Sequence, residues 1–359
     1  MENKICIVVS ANLTYLPFYY RYEELLDKYN MPFDLIIWNR QGVDIVSKAK
    51  NIYEFKLLDS TNNGNWKKIN KFFKFSNYVK HKLKDNTYSF VFFLGTYAGN
   101  GILLNRFLRK NYKYKYLLDI RDYTYEWFLP YKLMEWQVIN NAHTVVVSSK
   151  GYFSFLPQNK NYIVAHNIDW ENINAAQNSK RIVDSNRIRI SFIGNMRYYD
   201  ENFRFLNLMK NDERFIIQYY GTGCEILKEY CENQSINNVS FMGRFDRSET
   251  ANLYANTDIV NNLYGNNKTF LKLALSNKLY YSLFLGLPIL VCENTYMEEI
   301  TTIGKIGFTV DYNDPNIKDK LYAFVRNYNS KSYESEKLKE QVLFEDNEFV
   351  ESIKRLINR

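Results

Sequence analysis

The 359-residue sequence predicts an α/β protein built from two doubly wound domains, each containing a parallel sheet. Three observations support this prediction. Short apolar runs rich in β-branched and aromatic residues alternate with helix-like segments, as in strand-helix-strand units with right-handed crossovers. A polar segment with little periodicity, residues 167–187, separates these runs into two similar series. Glycines follow several runs of the second series, where the backbone must turn sharply or approach a ligand.

Each series contains six predicted strands, and the chain is long enough for each series to bury a core of its own. The first six predicted strands are residues 5–9, 33–38, 52–58, 90–94, 114–120 and 144–147. The second six are residues 188–193, 215–220, 239–242, 258–263, 288–292 and 308–310.

These series define the expected domains. We expect a first domain at residues 1–168, a linker at 169–187 and a second domain at 188–340. Residues 341–359 carry a helical pattern with three apolar side chains on one face, so we expect this segment to pack back on the first domain. The three are Phe349, Ile353 and Leu356.

The amino-acid composition indicates the class of protein and the charge of its partner. With 46% hydrophobic and 24% charged residues, the sequence is typical of a globular protein, and its apolar runs are too short to span a membrane. The run at 5–9 follows one lysine and lacks a cleavage site, so it indicates a first core strand and a cytoplasmic protein. The four cysteines show no metal-ligand spacing, and no metal is expected. The net charge of +8 favours an anionic partner, but no nucleic-acid-binding signature is present.

The region from Trp66 to Lys84 departs from ordinary surface composition. It holds seven lysines and no acid, with apolar residues at helical spacing, which predicts a basic amphipathic helix. Such a helix suits peripheral contact with an anionic membrane, and a solvated helix face is the alternative. The lysines are Lys67, Lys68, Lys71, Lys74, Lys80, Lys82 and Lys84.

Residues 277–291, NKLYYSLFLGLPILV, combine a helix with the buried strand that follows it. Leu279 and Leu283 recur at helical spacing, Gly286 suits the helix end, and Pro288 opens the next apolar run. In open α/β folds, ligands bind at the ends of such strands. The glycines of the second series give no complete GxGxxG pattern, so a nicotinamide cofactor is not indicated.

The second series resembles the C-terminal domain of GT-B fold glycosyltransferases, and most closely the retaining, family 4-like enzymes of bacterial capsular and cell-surface polysaccharide synthesis. Four ordered pieces carry the resemblance, and three weaker ones in the first series keep the family's order. The resemblance implies two Rossmann-like domains facing a cleft, no cofactor, and a nucleotide-diphosphate sugar as substrate. The pieces are residues 189–206, 215–225, 238–260 and 277–300, preceded by 117–127, 141–157 and 162–169.

The resemblance also implies a donor site in the second domain. The departing diphosphate needs positive groups and N–H donors, and Arg197, just after the turn at Gly194, is the first candidate. Lys268 and Lys278 are further candidates to bind the diphosphate; the alternative is that each is an ordinary solvated lysine on the surface. The full set of implied donor-binding residues is Gly194, Arg197, Gly243, Arg244, Phe245, Lys268, Lys278, Tyr281, Glu298 and Glu299.

The sequence departs from the family pattern at the carboxylates. Tyr281 occupies the donor-helix position where a glutamate usually binds the ribose, and the first glutamate of the family's spaced pair has no clear equivalent. Glu298 and Glu299 are candidates to bind a sugar or ribose hydroxyl, with Glu298 favoured for catalysis alongside Arg197. The ordinary preference for acidic residues near a helix N-terminus explains the presence of these two glutamates almost equally well.

From the first domain, Asp119, Arg121 and Asp122 end a predicted strand, and Asn12, Arg121 and Asp122 are the candidates for the acceptor side. A retaining transferase needs no enzymic base, whereas an inverting one would need a carboxylate or histidine, for which Asp122 is the candidate. An Asp/Arg pair that only fixes a loop is the alternative.

Together these features predict transfer of a sugar to a glycan or lipid-linked acceptor at the inner membrane face. The alternatives are a degenerate, non-catalytic GT-B subunit that supports a partner transferase and, ranked below it, a sugar-nucleotide 2-epimerase.

Overall fold

The computed structural model describes residues 4–58, 65–179 and 187–358, and for residues 65–69 it describes the backbone alone. The chain divides into two units. Unit 1 comprises Met1–His166 and Phe344–Arg359, and unit 2 comprises Asn167–Leu343. The side chains of Trp66, Lys67 and Lys68, and residues 180–186 of the expected linker, lie outside the described part.

Unit 1 is built on seven described strands and the helices between them. The strands are β1 (Ile5–Val9), β2 (Phe33–Trp38), β3 (Asn51–Phe55), β4 (Phe90–Leu94), β5 (Tyr116–Ile120), β6 (Thr144–Val147) and β7 (Tyr162–Val164). The helices are α1 (Pro17–Lys28), α2 (Asn65–Asp85), α3 (Thr96–Gly99), α4 (Ile102–Asn111) and α5 (Leu129–Asn141).

The strands of unit 1 form one parallel sheet in the order β3-β2-β1-β4-β5-β6-β7. The five central strands β1, β2, β4, β5 and β6 are buried along their whole length, because helices cover both faces of a doubly wound sheet. This burial explains why they are continuous apolar runs in the sequence. β1 and β4 are neighbours at the point where the strand order reverses.

The described part of unit 2 contains six further strands and most of the remaining helices. The strands are β8 (Ile188–Ile193), β9 (Phe215–Tyr220), β10 (Val239–Met242), β11 (Ile259–Asn261), β12 (Ile289–Val291) and β13 (Gly307–Thr309). The helices are α6 (Trp170–Asn178), α7 (Asp200–Leu208), α8 (Glu225–Asn233), α9 (Thr250–Ala255), α10 (Thr269–Leu273), α11 (Asn277–Leu285), α12 (Tyr296–Ile303) and α13 (Ile317–Arg326).

The sheet of unit 2 is also parallel throughout, in the order β10-β9-β8-β11-β12-β13. Two apolar cores cover it, one around Phe192, Phe205 and Tyr219 and one around Leu279 and Ile289. The predicted fold class, with two doubly wound parallel-sheet domains, is therefore confirmed.

The last helix, α14 (Tyr333–Ile357), contributes to the cores of both units. Its first half places Leu338 and Val342 in a core of unit 2. Its second half places Phe349, Ile353 and Leu356 among the strands of unit 1, together with β1 and β2 side chains. The helix begins well before the predicted tail segment, because its first half has its own apolar positions.

Two further differences from the sequence prediction have simple physical causes. The strand β7 was not predicted as a strand, because it is a three-residue edge strand with only Val164 buried. The expected linker contains α6, in which Ile173 and Ala176 are buried one turn apart and Asp169 caps the first turn through Asn172. Within the described residues, no helix is long and apolar enough to cross a bilayer.

Candidate functional site

A cavity of unit 2 lies where its strand order reverses, between β8 and β11. In doubly wound sheets the loops at this point separate, and they leave a crevice at the carboxyl ends of the strands. The cavity has a volume of about 460 Å³. It is lined by Gly194 after β8, Tyr264 and Gly265 after β11, Cys292 and Thr295 after β12, and by α11.

Glycines allow the loops after β8 and β9 to lie against each other. A Cβ at Gly221, which has a φ of +126°, would come within 2.1 Å of the carbonyl oxygen of Gly194. A Cβ at Gly223 would come within 2.4 Å of the carbonyl oxygen of Met196. Both contacts are with backbone and leave no room for a side chain. The two glycines therefore fix the turn at Gly194 that borders the cavity.

Lys278, on the first turn of α11, places a buried ammonium group at this turn. The side chain is 5% exposed, and its Nζ donates to the hydroxyl of Tyr264 at 2.5 Å. The same Nζ lies 4.2 Å from the ring centre of Phe192 and 4.8 Å from that of Tyr264. Among the described residues, no carboxylate forms an ion pair with it. A buried cation held by aromatic faces and one hydroxyl retains capacity to bind an anion.

Aromatic side chains form one wall of the cavity. Phe245, Tyr254 and Tyr281 all line it, and the rings of Tyr254 and Tyr281 stack with centres 4.0 Å apart and an angle of 7°. Both tyrosines are almost fully buried, so they are packed into the core behind the wall. Phe245 packs against the same core from the loop after β10.

Tyr281 is anchored through its hydroxyl group, which donates to Oδ2 of Asp169 at 2.9 Å. Asp169 also caps α6 and pairs with Arg247 at 3.2 Å. The pKa of Asp169 lies below its ordinary value. Burial acts to raise this pKa, but the hydrogen bonds from Asn172 and Tyr281 and the charge of Arg247 together lower it further. Burial and the nearby carboxylate raise the pKa of Tyr281, so the tyrosine remains a donor.

Four of the residues predicted for the donor site therefore line this cavity: Gly194, Phe245, Lys278 and Tyr281. Lys268 stands at its edge, because its Nζ lies 5.4 Å from the ring centre of the cavity-lining Tyr198. Arg197 follows the Gly194 turn, but it is exposed and makes no ion pair with a described residue. Gly243 and Arg244 are exposed on the loop after β10 and do not line the cavity.

Glu298 and Glu299 lie at the start of α12, outside the cavity lining. Glu298 accepts hydrogen bonds at both oxygens, from the backbone N–H of Asn294 at 2.6 Å and from the hydroxyl of Thr309 at 2.9 Å. Thr295 caps the same turn by accepting from the N–H of Glu298. Glu299 is exposed. In this structure Glu298 thus stabilises the helix start that borders the cavity.

The acceptor-side candidates lie at the carboxyl ends of strands in unit 1. Asn12, after β1, is buried and accepts from the N–H groups of Arg40 and Gln41, so it holds the loop after β2. Arg121, after β5, forms two contacts of 2.7 Å with the buried Asp119. Asp122 is exposed directly after this pair. Asn12 and Arg121 are engaged in structural contacts, whereas Asp122 is accessible.

Sequence reasoning missed a pair of buried glutamates beside this loop. Glu126 accepts hydrogen bonds from the backbone and hydroxyl of Thr124, and Glu135 on α5 is fully buried. Burial and the neighbouring Glu126 raise the pKa of Glu135 to about 9, so Glu135 carries a proton at neutral pH. Burial also raises the pKa of Glu126. The sequence around Glu126 and Glu135 shows no pattern that would indicate two carboxyl groups buried side by side.

Asp169 was also missed as a partner of the predicted site. It lies in the segment interpreted as a linker, more than a hundred residues before Tyr281, and only the packing of α6 against α11 brings the two together. Among the described residues, no group of three or more His, Cys, Asp or Glu side chains is arranged to hold a metal ion.

The sequence matches no protein-family profile and no curated protein. Solved structures do match its fold. Sucrose-phosphate synthase from Thermosynechococcus elongatus superposes with a TM-score of 0.71 at 12% identity, over 99% of this chain and 98% of the other. HepE of Anabaena in complex with UDP superposes with a TM-score of 0.66 at 10% identity, over 98% of this chain and 100% of the other.

A putative UDP-N-acetylglucosamine 2-epimerase from Listeria monocytogenes gives a TM-score of 0.57 at 10% identity, over 92% of this chain and 90% of the other. At such identities the likeness concerns the fold, and proteins named as a synthase and as an epimerase share it. Together with the two parallel sheets and their strand orders, these matches show that the chain has the GT-B fold.

Proposed function

We propose that the chain is a glycosyltransferase that moves a sugar from a nucleotide-diphosphate sugar to a glycan or lipid-linked saccharide. The cavity of unit 2 is the donor site in this proposal. A donor site needs a positive charge to bind the diphosphate and ring faces to bind the nucleoside. Groups suited to both tasks are present at the cavity. The GT-B fold of the chain is consistent with this reaction but does not select it.

The observation that carries the proposal is the buried Lys278 beside the Gly194 turn. Removing an ammonium group from water is costly, and such groups are normally paired with a carboxylate. Lys278 instead has Tyr264 and two ring faces, and its Nζ would lie 3.6 Å from a Cβ placed at Gly194. A diphosphate bound at this turn would supply the missing negative charge and would stabilise the charge that develops as the sugar departs.

Three further predicted residues, Arg197, Lys268 and Glu298, complete the proposed site. Arg197 is exposed on the loop that follows Gly194, and its long side chain is free to turn toward a bound phosphate. Lys268 adds charge at the cavity edge beside Tyr198. Glu298 holds the start of α12, so we assign it a positioning role and not a direct contact with the sugar.

For the acceptor side we propose Asp122, the accessible carboxylate after β5. With retention of configuration, the departing diphosphate takes the acceptor proton and no enzymic base is required. With inversion, Asp122 would have to accept that proton. We propose retention, in keeping with the retaining enzymes that the sequence resembles. A role in bacterial surface polysaccharide synthesis, with a lipid-linked acceptor at the inner membrane face, completes the proposal.

Isothermal titration calorimetry with UDP, GDP, ADP and CMP tests the donor site directly. One nucleotide should bind, and Lys278→Met should weaken its binding by about tenfold or more, because a charge-assisted contact is lost. Lys272→Met is the matched control, since Lys272 is exposed on the neighbouring helix α10. Absence of binding to every nucleotide and nucleotide sugar would rule out the transferase.

The main alternative is a GT-B subunit that supports a partner transferase without catalysing transfer itself. The observation in its favour is Tyr281 at the position where similar enzymes carry a ribose-binding glutamate. Assays of donor hydrolysis and of transfer to lipid-linked saccharides separate the two functions. Nucleotide binding without either reaction would favour the supporting subunit.

A further inference from the structure

Unit 1 exposes a group of large apolar side chains between β5 and the middle of α5. Trp127 is 71% exposed, Leu129 63%, Leu133 54% and Phe128 50%. These four lie within seven consecutive positions of the chain. Scattered apolar residues are ordinary on protein surfaces, but consecutive bulky ones with this exposure indicate a contact surface.

The first turn of α4 extends this surface. Ile102 is 65% exposed and Leu103 is 39% exposed. Asn105, one turn further along α4, donates through its side chain to the carbonyl of Met134 on α5 at 3.2 Å, so the two helices are neighbours. We call the six residues Ile102, Leu103, Trp127, Phe128, Leu129 and Leu133 the apolar patch.

The helices around the apolar patch are strongly basic. α4 abuts α2, because the space for a Cβ at Gly101, the residue before α4, is occupied by Ser76 of α2. The three helices α2, α4 and α5 contain only two acids, of which Glu135 is fully buried and Asp85 lies at the far end of α2. Their basic residues with described, exposed or half-exposed side chains include Lys74, Lys80, Lys84, Arg106, Arg109, Lys110 and Lys132.

The acids of the neighbouring loop after β5 do not offset this charge. Asp122 is exposed but lies next to Arg121, and Glu126 is buried against Thr124. The surface therefore combines protruding apolar side chains with an excess of positive charge on the surrounding helices. A protein partner would be expected to offer complementary pockets, whereas an anionic bilayer offers hydrocarbon and negative headgroups together.

We propose that the apolar patch and its basic surround form a docking surface for an anionic lipid bilayer. The side chains of Trp127, Phe128 and Leu129 enter the headgroup and upper acyl region, where Trp is well accommodated. Arg106, Arg109 and Lys110 contact the lipid phosphates. Trp127 of the patch follows Asp122 by five residues, so docking presents this accessible carboxylate at the membrane surface. This surface differs from the lysine-rich face of α2 predicted from the sequence, although α2 contributes charge.

Sedimentation with phosphatidylcholine vesicles, prepared with and without phosphatidylglycerol, tests the proposal on the full chain. The wild type should bind the anionic vesicles. Replacing Trp127, Phe128 and Leu129 together with Ser should weaken that binding by about tenfold or more. The matched control is Ile226→Ser with Ile303→Ser, since both isoleucines are more than half exposed in unit 2 and lie outside the patch. The control should bind like the wild type.

A second variant tests the charged part of the surface without changing the apolar patch. Arg106→Gln, Arg109→Gln and Lys110→Gln together should weaken binding by a similar factor and reduce its dependence on salt. This variant also covers the case in which the triple Ser variant does not fold, because its three positions are exposed on one helix.

Equal vesicle binding by the triple Ser variant and the wild type would overturn the proposal, as would equal losses in the patch and control variants. Gel filtration tests whether the patch instead joins two copies of the chain. If the wild type is dimeric and the triple Ser variant is monomeric, the patch is an interface between two copies of the chain, and bilayer docking is rejected. Nucleotide binding measured on the same samples is independent of the patch, so failure of the docking surface is distinguishable from failure of the donor site.

Discussion

The hydroxyl of Tyr281 donates a hydrogen bond to Oδ2 of Asp169 at 2.9 Å. A carboxylate therefore lies beside the position at which the resemblance predicts a glutamate, but it comes from a different segment of the chain. The pair fixes the ring that stacks on Tyr254 and forms part of the cavity wall. Asp169 also pairs with the cationic Arg247, so the carboxylate stays charged when the tyrosine is altered.

Replacing Tyr281 with Phe should lower the free energy of unfolding by about 1.5 kcal/mol, the usual worth of a hydrogen bond to a charged group. The stacking on Tyr254 should remain. Urea denaturation followed by circular dichroism measures this change, with Tyr333→Phe as control because Tyr333 is 77% exposed. Tyr281→Glu should cost more, since it brings a second carboxylate toward Asp169. A Tyr281→Glu variant as stable as the wild type would contradict this expectation.

Replacing Gly221 with Ala should destabilise unit 2 strongly and weaken nucleotide binding. The new Cβ would meet the carbonyl oxygen of Gly194 at 2.1 Å, and the φ of +126° is unfavourable for any side chain. Gly243→Ala is the control, because a Cβ there meets no atom within 4 Å. Thermal melting of the two variants should differ by several degrees, with Gly243→Ala unchanged.

Stability should depend on pH through Glu135. Its pKa is raised to about 9 in the folded chain from an ordinary value of 4.5, so the folded state binds the proton more tightly. The stability gained from that proton is complete below pH 4.5 and is lost progressively as the pH rises toward about 9. Glu135→Gln should remove this dependence. Melting temperatures of the wild type and of Glu135→Gln, measured across this range, should therefore diverge as the pH rises.

The control for this measurement is Glu336→Gln, since Glu336 is exposed at the start of α14. Its melting curve should follow that of the wild type at every pH. A Glu135→Gln variant with the same pH dependence as the wild type would show that Glu135 ionises normally.

Replacing Arg197 with Ala should abolish sugar transfer and leave the melting temperature unchanged. The side chain is exposed and makes no ion pair with a described residue, so its loss removes no contact from the fold. Lys210→Ala is a suitable control, because Lys210 is exposed just beyond the helix that follows the same loop. Full transfer activity of Arg197→Ala would reject the role in diphosphate binding.

Replacing Glu298 with Gln should preserve the fold and reduce nucleotide affinity only slightly. A glutamine oxygen still accepts from the N–H of Asn294, and the hydroxyl of Thr309 can turn to accept from the new amide. Calorimetry and a transfer assay on this variant separate positioning from catalysis. Loss of transfer with normal nucleotide affinity would restore Glu298 as a catalytic residue.

The sequence was most informative where side chains are buried along whole strands. β1, β2, β4, β6 and β8 have the predicted bounds, because a strand covered on both faces is a continuous apolar run. Among the short strands of unit 2, β11 and β12 were predicted three and two residues too long, and β13 was predicted one residue too late. The residues that extended β11 and β12, such as Leu263 and Cys292, are buried and apolar but lie in the loops that border the cavity.

The candidate site was predictable only in part. The glycine turn, Phe245 and Lys278 lie in segments with a recognisable order along the chain. Asp169 and the stacking of Tyr254 depend on packing between helices distant in sequence, and no local pattern reports such packing. The apolar patch was missed for a related reason. Bulky residues between a strand and a helix are expected to be buried, and only the structure shows Trp127 exposed.

The contribution of α14 to both cores has a consequence for biosynthesis. Phe349, Ile353 and Leu356 pack among side chains of β1 and β2, which leave the ribosome more than three hundred residues earlier. Until residues 344–358 have been synthesised, the nascent first unit exposes apolar surface that only they can cover. Domains usually fold as units in the order of their synthesis. Here the whole of the second unit, which ends at Leu343, is synthesised before the last segment of the first, so the nascent first unit is the part that most needs a chaperone.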